Sequence, residues 1–205
     1  TSPTRRRARA IQCGVFSSSR VKIAHMDNPW RTLRSSLKYD NPWISLTHHD
    51  VLNPSGNEGI YGVVHFKNRA IGVLALEHDG TTYLVGQYRY PLEAYSWEIP
   101  EGGGPHAEDP LTAAKRELLE ETGLRAREWR QILRIHLSNS VTDEESIVYL
   151  ATDLEQGESS PEETERLVLR RLPFAEVLAM VQRGEITDSI TVAAVLCVAL
   201  EQRQK

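Results

Sequence analysis

The stretch GGGPHAEDPLTAAKRELLEETGL, residues 102–124, carries the signals for the start and the end of one helix. Asp109 followed by Pro110 is typical of a helix N-terminus, because aspartate caps the first turn and proline fits into it. Gly123 is typical of a helix C-terminus, because glycine readily adopts the left-handed conformation there. The sequence therefore predicts a helix of about three to four turns between these signals, with Leu118 on its buried side.

Three glutamates share another side of this predicted helix. Glu117, Glu120 and Glu121 are spaced at i, i+3 and i+4, so their carboxylates form one patch. Like charges at this spacing destabilise an isolated helix by about 0.2–0.5 kcal/mol per pair, and locally only Arg116, four residues before Glu120, compensates. Carboxylates without a nearby cysteine or paired histidine favour Mg²⁺ or Mn²⁺ over Zn²⁺. The spacing of the glutamates alone is also consistent with a solvated acidic helix face.

The spacing across the whole stretch resembles the signature of the Nudix hydrolases. Gly102 is followed after five residues by Glu108, after seven more by Arg116, and then by the run ELLEETGL. No position departs from the pattern G-x5-E-x7-R-E-[apolar]-x-E-E-x-G-[apolar]. The resemblance implies an α/β fold, namely an α/β/α sandwich with a mixed sheet, in which the signature forms a loop, a helix and a second loop. It also implies metal-dependent hydrolysis of a nucleoside diphosphate linked to another group X.

The same resemblance implies roles for individual residues of the signature. The ligands of Mg²⁺, or of Mn²⁺ in its place, would be the three helix carboxylates, namely Glu117, Glu120 and Glu121. Arg116 would orient these glutamates, and we count Arg116 and Glu120 with the catalytic residues. Gly102 would permit the tight loop that leads into the helix, and we count Gly102 and Gly103 with the substrate-binding residues.

Two segments before the signature narrow the resemblance to one branch of the family. QYRYP at 87–91 and WEIPE at 97–101 resemble segments of the ADP-ribose and nucleoside-diphosphate-sugar pyrophosphatases. In that branch the residue matching Arg89 contacts the diphosphate, for which an arginine fork is well suited, and the one matching Glu98 contacts a sugar. A surface ion pair is the alternative for Arg89. Glu101 stands where the branch often has an alanine whose carbonyl binds metal, so its side chain either adds a ligand or faces water.

An acidic segment, GESSPEETE at 157–165, precedes a predicted strand with the sequence RLVLRRL. In the sugar-diphosphate branch an E-x-E pair at this point supplies the general base that takes a proton from the attacking water. Glu163 and Glu165 match that spacing best, and Glu162 remains an alternative. From its composition alone the segment is a solvated surface loop.

The chain before the signature divides into a tail, an arm and the first strands of one domain. Residues 1–26 contain arginine and serine but no acidic residue, which fits a disordered tail, an over-extended start or a targeting segment. Residues 27–66 form a β-rich N-terminal arm with a predicted hairpin, in which the tetrapeptide DNPW occurs twice. Its tryptophans, Trp30 and Trp43, either anchor the arm or stack on a nucleobase. By the resemblance, residues 67–205 would form the Nudix domain.

The predicted domain continues with strands and ends with two helices. Strands are expected at 70–77, 82–90, 128–137 and 145–151. The polar loop 138–144 between the last two strands either lines a sugar pocket or is ordinary turn chemistry. The final helix is apolar around most of its circumference, so we expect it to be buried. We expect its packing face to consist of Val192, Val195, Leu196 and Ala199.

Composition restricts the remaining possibilities. A net charge of −4 argues against a surface that coats nucleic acid, and no apolar run approaches the roughly 18 residues of a membrane span. Cys13 and Cys197 lie far apart, which indicates a reducing compartment, and we expect a cytoplasmic protein. The sugar-diphosphate branch implies a homodimer in which the arm crosses between subunits.

The sequence therefore predicts hydrolysis of ADP-ribose or another nucleoside-diphosphate sugar to a nucleoside monophosphate and a sugar phosphate. One alternative is a Nudix hydrolase that acts on a nucleoside triphosphate, a dinucleotide or a capped RNA end. The other is a sensor that binds a nucleotide sugar without hydrolysing it. The complete set of signature glutamates argues against the sensor.

Overall fold

The computed structural model describes residues 27–157 and 167–204. Along the chain the strands are β1 (Arg31–Asp40), β2 (Ile44–Leu52), β3 (Glu58–Phe66), β4 (Asn68–Ala75), β5 (Thr81–Arg89), β6 (Ala94–Glu98), β7 (Glu101–Pro105), β8 (Leu124–His136), β9 (Glu145–Gln156) and β10 (Val168–Pro173). The helices are α1 (Pro110–Thr122), α2 (Phe174–Gln182) and α3 (Ser189–Gln202). The expectations for the tail 1–26 and for Glu162, Glu163 and Glu165 lie outside the described residues.

The arm forms a three-stranded antiparallel sheet in the order β1-β2-β3. The predicted hairpin is confirmed as β2 and β3, whereas β1 was not predicted as a strand. Nearly all of β1 is exposed, so its sequence lacks the alternation that marks a half-buried strand. The second DNPW copy forms a turn between β1 and β2, in which Asn41 Oδ1 accepts hydrogen bonds from the amides of Trp43 (2.8 Å) and Ile44 (2.7 Å).

Two further sheets form the centre of the domain. One has four strands in the order β7-β4-β9-β8, and the other has three in the order β10-β5-β6. β4 and β9 are parallel while their other neighbours are antiparallel, so the four-stranded sheet is mixed, as expected.

Helices cover both faces of these sheets. Ile71 and Val73 of β4 belong to a buried cluster that includes Leu118 of α1, whereas Leu74 belongs to a second cluster that includes Val195 of α3. Successive residues of a strand point to opposite faces, so β4 is buried from both sides. This layering is the expected α/β/α sandwich.

The helix of the signature begins and ends where its sequence predicts. The side chain of Asp109 accepts a hydrogen bond from the amide of Thr112 (3.0 Å), and Gly123 follows the last turn with φ 71°. The aspartate satisfies one of the free amides of the first turn, and the glycine adopts the left-handed conformation without a steric cost. Both ends of α1 are therefore fixed by local interactions, and its glutamates are presented at defined positions.

The last helix is buried, and its predicted packing face is correct for Val195 and Ala199, which are buried, and for Val192, which packs partly buried against the core, but not for Leu196. Leu196 is 41% exposed, so its assignment to the packing face is wrong. The residues of α3 that are buried are Ile190, Thr191, Ala194, Val195, Val198 and Ala199. Because α3 is apolar on nearly every side, the sequence did not indicate which side meets the sheet. None of the helices in the described part of the chain combines the length and apolar character needed to cross a membrane.

Candidate active site

One cleft in the described part of the chain contains most of the side chains that the sequence singles out. It has two lobes that share four residues, namely Trp43, Asn68, Gly102 and Gly103. The helix lobe has a volume of about 520 Å³ and is lined by the signature residues Glu108, Arg116, Glu117, Glu120 and Glu121. The distal lobe has a volume of about 750 Å³, and its charged lining comprises Arg69, Arg89, Glu98, Glu101, Glu144 and Asp188.

Arg116 joins α1 to β7 in the helix lobe. Its Nη1 donates hydrogen bonds to Glu117 Oε1 (2.7 Å) and Glu120 Oε2 (2.9 Å), and its Nη2 donates to the carbonyl of Gly103 (2.9 Å). Burial lowers the pKa of the Arg116 guanidinium, but the negative charges of Glu117 and Glu120 outweigh this and raise it above its ordinary value. Arg116 therefore stays charged and holds two carboxylates in fixed orientations.

Glu117 and Glu121 are buried even though they carry acidic side chains. Glu121 Oε2 accepts a hydrogen bond from the backbone amide of Glu101 (3.0 Å), which connects α1 to the start of β7. The carboxylate of Glu117 packs directly on Gly102, where a Cβ atom would overlap it. Gly102 is thus required by this close approach, and the expectation of a tight loop at this position is wrong, because Gly102 lies in β7 and pairs with Ile71 of β4.

Arg89 lies in the distal lobe, between two glutamates. Its Nε donates to Glu98 Oε1 (3.0 Å), and its Nη2 donates to Glu98 Oε2 (2.5 Å) and to Glu101 Oε1 (2.7 Å). Burial lowers the pKa of Arg89, whereas Glu98 and then Glu101 and Asp188 raise it to a net increase above the ordinary value. The ion pair that was the alternative for Arg89 does exist, but it lies in the cleft and not on an open surface.

Glu101 connects the two lobes. Its backbone amide bonds Glu121 in the helix lobe, while its side chain, only 11% exposed, lies beside Arg89 in the distal lobe. Burial raises the pKa of Glu101 well above its ordinary value, and the charges of Asp188 and Glu98 add to this effect while Arg89 opposes it. Of the two alternatives for this side chain, the one in which it faces water is therefore wrong.

The carboxylates of the cleft fit a divalent cation that prefers oxygen ligands. Glu98, Glu101 and Asp188 each offer a carboxylate oxygen, and these oxygens lie within 4.8 Å of one another. Glu101 Oε2 is buried and has no hydrogen-bond partner among residues 27–157 and 167–204. Buried carboxylates of this kind are normally paired or coordinate a metal ion, and this donor set suits Mg²⁺ or Mn²⁺.

The group of three carboxylates whose oxygens lie within 4.8 Å of one another differs from the set of metal ligands that the signature implies. Of the residues expected to bind metal, only Glu101 belongs to the group with Glu98 and Asp188. The helix glutamates lie in the adjoining lobe, where Arg116 holds Glu117 and Glu120. The amide of Glu101 links the two sets through its hydrogen bond to Glu121.

Sequence reasoning missed one residue of the cleft, Asp188, and left the roles of two others, Glu144 and Trp43, open. Asp188 caps α3, where its side chain accepts a hydrogen bond from Thr191 N (2.7 Å), and it also lines the distal lobe. Glu144 ends the polar loop 138–144, and burial followed by the charge of Asp143 raises its pKa.

Trp43, for which the sequence left arm anchoring and nucleobase stacking open, lines both lobes and is 68% exposed. Trp30, from the first DNPW copy, lies instead against Tyr61, with ring centroids 5.5 Å apart. The two tryptophans of the repeat therefore have different environments. Nothing in the repeated tetrapeptide distinguished them, because the difference arises from where the arm sheet meets the domain.

Comparison with known families matches two consecutive parts of the chain. Residues 66–192 match the NUDIX domain, and residues 30–64 match the nucleoside diphosphate sugar hydrolase N-terminal domain. The chain is 34% identical over 178 residues to an ADP-ribose pyrophosphatase from Mycobacterium tuberculosis, with 84% of each chain covered.

Two other relatives are each 30% identical to this chain. One is a methanol dehydrogenase activator from Bacillus methanolicus, matched over 85% of this chain and 95% of that protein. The other is an ADP-ribose pyrophosphatase from Bacillus subtilis, matched over 84% and 94% respectively. A crystal structure of an ADP compounds hydrolase shares the fold, with a TM-score of 0.77 at 19% identity, over 85% of this chain and 95% of that one.

Proposed function

Because the chain belongs to the Nudix family and is a Nudix pyrophosphohydrolase, we propose that it hydrolyses the diphosphate bond of ADP-ribose or a related nucleoside-diphosphate sugar. The products are a nucleoside monophosphate and a sugar phosphate. The observation that carries this proposal is the match of the arm, residues 30–64, to the N-terminal domain of nucleoside diphosphate sugar hydrolases. The two ADP-ribose pyrophosphatases among the relatives support it.

The two lobes suit the two parts of such a reaction. The helix lobe contains Glu117, Glu120 and Glu121, and we propose that Glu117 and Glu121 bind Mg²⁺, or Mn²⁺, with Glu120 and Glu101 contributing. When bound, the ion supplies neutralisation of phosphate charge and activation of water.

The protein side chains prepare this chemistry. Arg116 keeps Glu117 and Glu120 oriented by donating to both carboxylates, so the ligands do not have to reorganise. Gly102 and Gly103 lie in β7 and line both lobes, and we propose that they leave room for the diphosphate. We propose that Glu163 or Glu165, with Glu162 as the alternative, takes the proton from the attacking water.

The distal lobe provides groups that recognise the substrate. Arg89 lines the lobe, where Glu98 and Glu101 hold its Nε and Nη2, and we propose that it contacts the diphosphate while Glu98 accepts a hydrogen bond from a hydroxyl of the sugar. Asp188 and Glu144 supply further carboxylate acceptors on the same wall. The exposed indole of Trp43, between the lobes, offers a face on which a nucleobase stacks.

We further propose a cytoplasmic homodimer without nucleic-acid or membrane partners. The arm, residues 27–66, carries the exposed apolar side chains that a second copy of the chain would cover, namely Leu33, Leu37, Tyr39 and Ile60. The domain at 67–205 supplies the catalytic groups, and the tail at 1–26 lies outside both. The net charge of −4 argues against a nucleic-acid partner, and this supports a small-molecule partner.

A substrate panel tests the proposed function. With Mg²⁺ present, ADP-ribose, several nucleoside-diphosphate sugars, dinucleotides, nucleoside triphosphates and a capped RNA are compared by kcat/KM, and products are identified by mass. We expect ADP-ribose or a nucleotide sugar to be preferred and to give a nucleoside monophosphate plus a sugar phosphate. Preference for a triphosphate, dinucleotide or capped end would contradict the assignment of the distal lobe. Tight binding of ADP-ribose without turnover would indicate a sensor.

Replacing Gly102 by alanine tests the packing of the Glu117 carboxylate on β7. The new Cβ overlaps the Glu117 carboxylate, so the carboxylate must move, and we expect kcat to fall by about 100-fold, the usual effect of a misplaced group. Gly59→Ala is the matched control, because a Cβ there meets no atom within 4 Å. Steady-state kinetics and thermal unfolding are measured for both variants. Unchanged kcat in Gly102→Ala would show that the position of Glu117 is unimportant.

A further inference from the structure

The loop 138–144, between β8 and β9, extends the edge of the arm sheet. The amide of Val64 in β3 donates to the carbonyl of Val141 (2.9 Å), and the amide of Asp143 donates to the carbonyl of Val64 (3.3 Å). Val64 and Thr142 form a parallel bridge. β3 is an edge strand of its own sheet, so the loop satisfies backbone groups that would otherwise be unpaired.

The side chain of Asp143 strengthens this junction from the domain side. Its Oδ1 accepts a hydrogen bond from the amide of Phe66 (3.1 Å), and its Oδ2 lies 2.7 Å from His65 Nδ1. Tyr61 donates from its hydroxyl to the carbonyl of Ser140 (2.7 Å) at the other end of the loop. One carboxylate thus bonds two consecutive residues of the arm, and we call the contact between His65, Phe66 and Asp143 the arm clamp.

The arm clamp adjoins residues that line the distal lobe. Phe66, which Asp143 holds through its amide, lines that lobe, and so does Glu144, the next residue after Asp143. His65 and Asp143 themselves do not line it. The lining of the lobe therefore includes residues from both the arm and the domain, and the arm clamp is one of the contacts that hold them together.

We propose that Asp143 and His65 are positioning residues that set the shape of the distal lobe for the group X of the substrate. The inference rests on the proposed function, which assigns that lobe to X. With the arm clamp intact, Phe66 and Glu144 are held at a fixed separation. Without it, the loop is attached to the arm mainly through backbone contacts, and Glu144, whose carbonyl still accepts a hydrogen bond from the amide of Leu137 (3.0 Å), is held less firmly relative to Phe66.

Kinetics with two substrates distinguish positioning of X from a general loss of structure. Asp143→Ala removes both acceptors, whereas Asp143→Asn keeps one for the amide of Phe66. We expect Asp143→Ala to raise KM for ADP-ribose about tenfold while kcat changes less than about twofold, with Asp143→Asn in between. ADP methyl ester, methylated on its terminal phosphate, has no sugar in place of X, so its KM should not change.

A matched control exists within the arm. Asp50, like Asp143, pairs with a histidine: its carboxylate lies 3.3 Å from His48 Nε2. It also accepts a hydrogen bond from Arg34 (2.7 Å). All of these residues belong to β1 and β2, away from the distal lobe. Asp50→Ala should therefore leave both KM values unchanged. Equal losses with both substrates in Asp143→Ala, or a rise in KM for ADP-ribose in Asp50→Ala as well, would overturn the positioning role.

Hydrogen exchange separates a failure of this inference from a failure of the proposed function. In Asp143→Ala the amides of Val64, Phe66 and Asp143 should exchange faster, and in Asp50→Ala they should not. Unchanged exchange at these three amides in Asp143→Ala would overturn the arm clamp, even if ADP-ribose is the substrate. If the wild-type protein hydrolysed neither compound, the proposed function would fail, and the exchange result would still support or overturn the arm clamp.

Discussion

Glu121→Gln should reduce kcat for ADP-ribose by about 100- to 1000-fold, the size expected when one electrostatic group of a preorganised site is lost. The substitution removes a negative charge from the buried part of the helix lobe without changing the size of the side chain. A carboxamide oxygen still accepts the hydrogen bond from the amide of Glu101, so the link between α1 and β7 is retained. The loss should therefore appear in catalysis and not in folding.

A second isosteric substitution serves as the control for this prediction. Glu128→Gln removes the same charge from an exposed position on β8, outside both lobes of the cleft. It should leave kcat and KM at the wild-type values. Both variants are compared by steady-state kinetics and by thermal unfolding. Near wild-type kcat in a folded Glu121→Gln protein would remove Glu121 from the catalytic account.

The parts of the fold that depend on neighbouring residues were predictable from the sequence. The ends of α1 follow from Asp109 and Gly123, because the cap hydrogen bond and the left-handed glycine involve residues within one turn. The hairpin of β2 and β3 follows in the same way from two apolar runs and the turn-rich segment between them. Each of these features is determined by local geometry, which a single sequence records.

The packing of individual faces was less predictable. Leu196 was expected to be buried on α3 but is exposed, because the helix offers an apolar residue on almost every side. β1 was not recognised because its residues are exposed and carry no two-residue period. In both elements the decisive information is which neighbour covers which face, and that is a property of the whole fold.

The candidate site shows the same division. The grouping of Glu117, Glu120 and Glu121 and the pairing of Arg116 with Glu120 follow from helical spacing. Asp188 joins Glu98 and Glu101 across about ninety residues of sequence, so no local pattern indicates it. The positions of Glu163 and Glu165 depend on a segment outside the described residues, and their role as general base is a proposal.

Removing divalent metal should abolish hydrolysis and also lower the stability of the folded protein. In the cleft the carboxylates outnumber the guanidinium groups of Arg69, Arg89 and Arg116, so their mutual repulsion is only partly compensated. One buried oxygen of Glu101 has no hydrogen-bond partner among the described residues. A bound cation relieves both costs in the folded state, whereas the unfolded chain offers no assembled site for it.

This difference between the two states gives a measurement that does not depend on turnover. After exhaustive treatment with EDTA, adding Mg²⁺ at about 100 times its dissociation constant should raise the free energy of unfolding by about 2.7 kcal/mol and restore activity. The stabilisation should be reduced in Glu121→Gln and retained in Glu128→Gln, because Glu121 lines the helix lobe whereas Glu128 does not. Activity that persists after chelation would contradict a metal mechanism. Restored activity with an equal stability gain in both variants would place the metal away from Glu121, and the group formed by Glu98, Glu101 and Asp188 would then be the site to substitute.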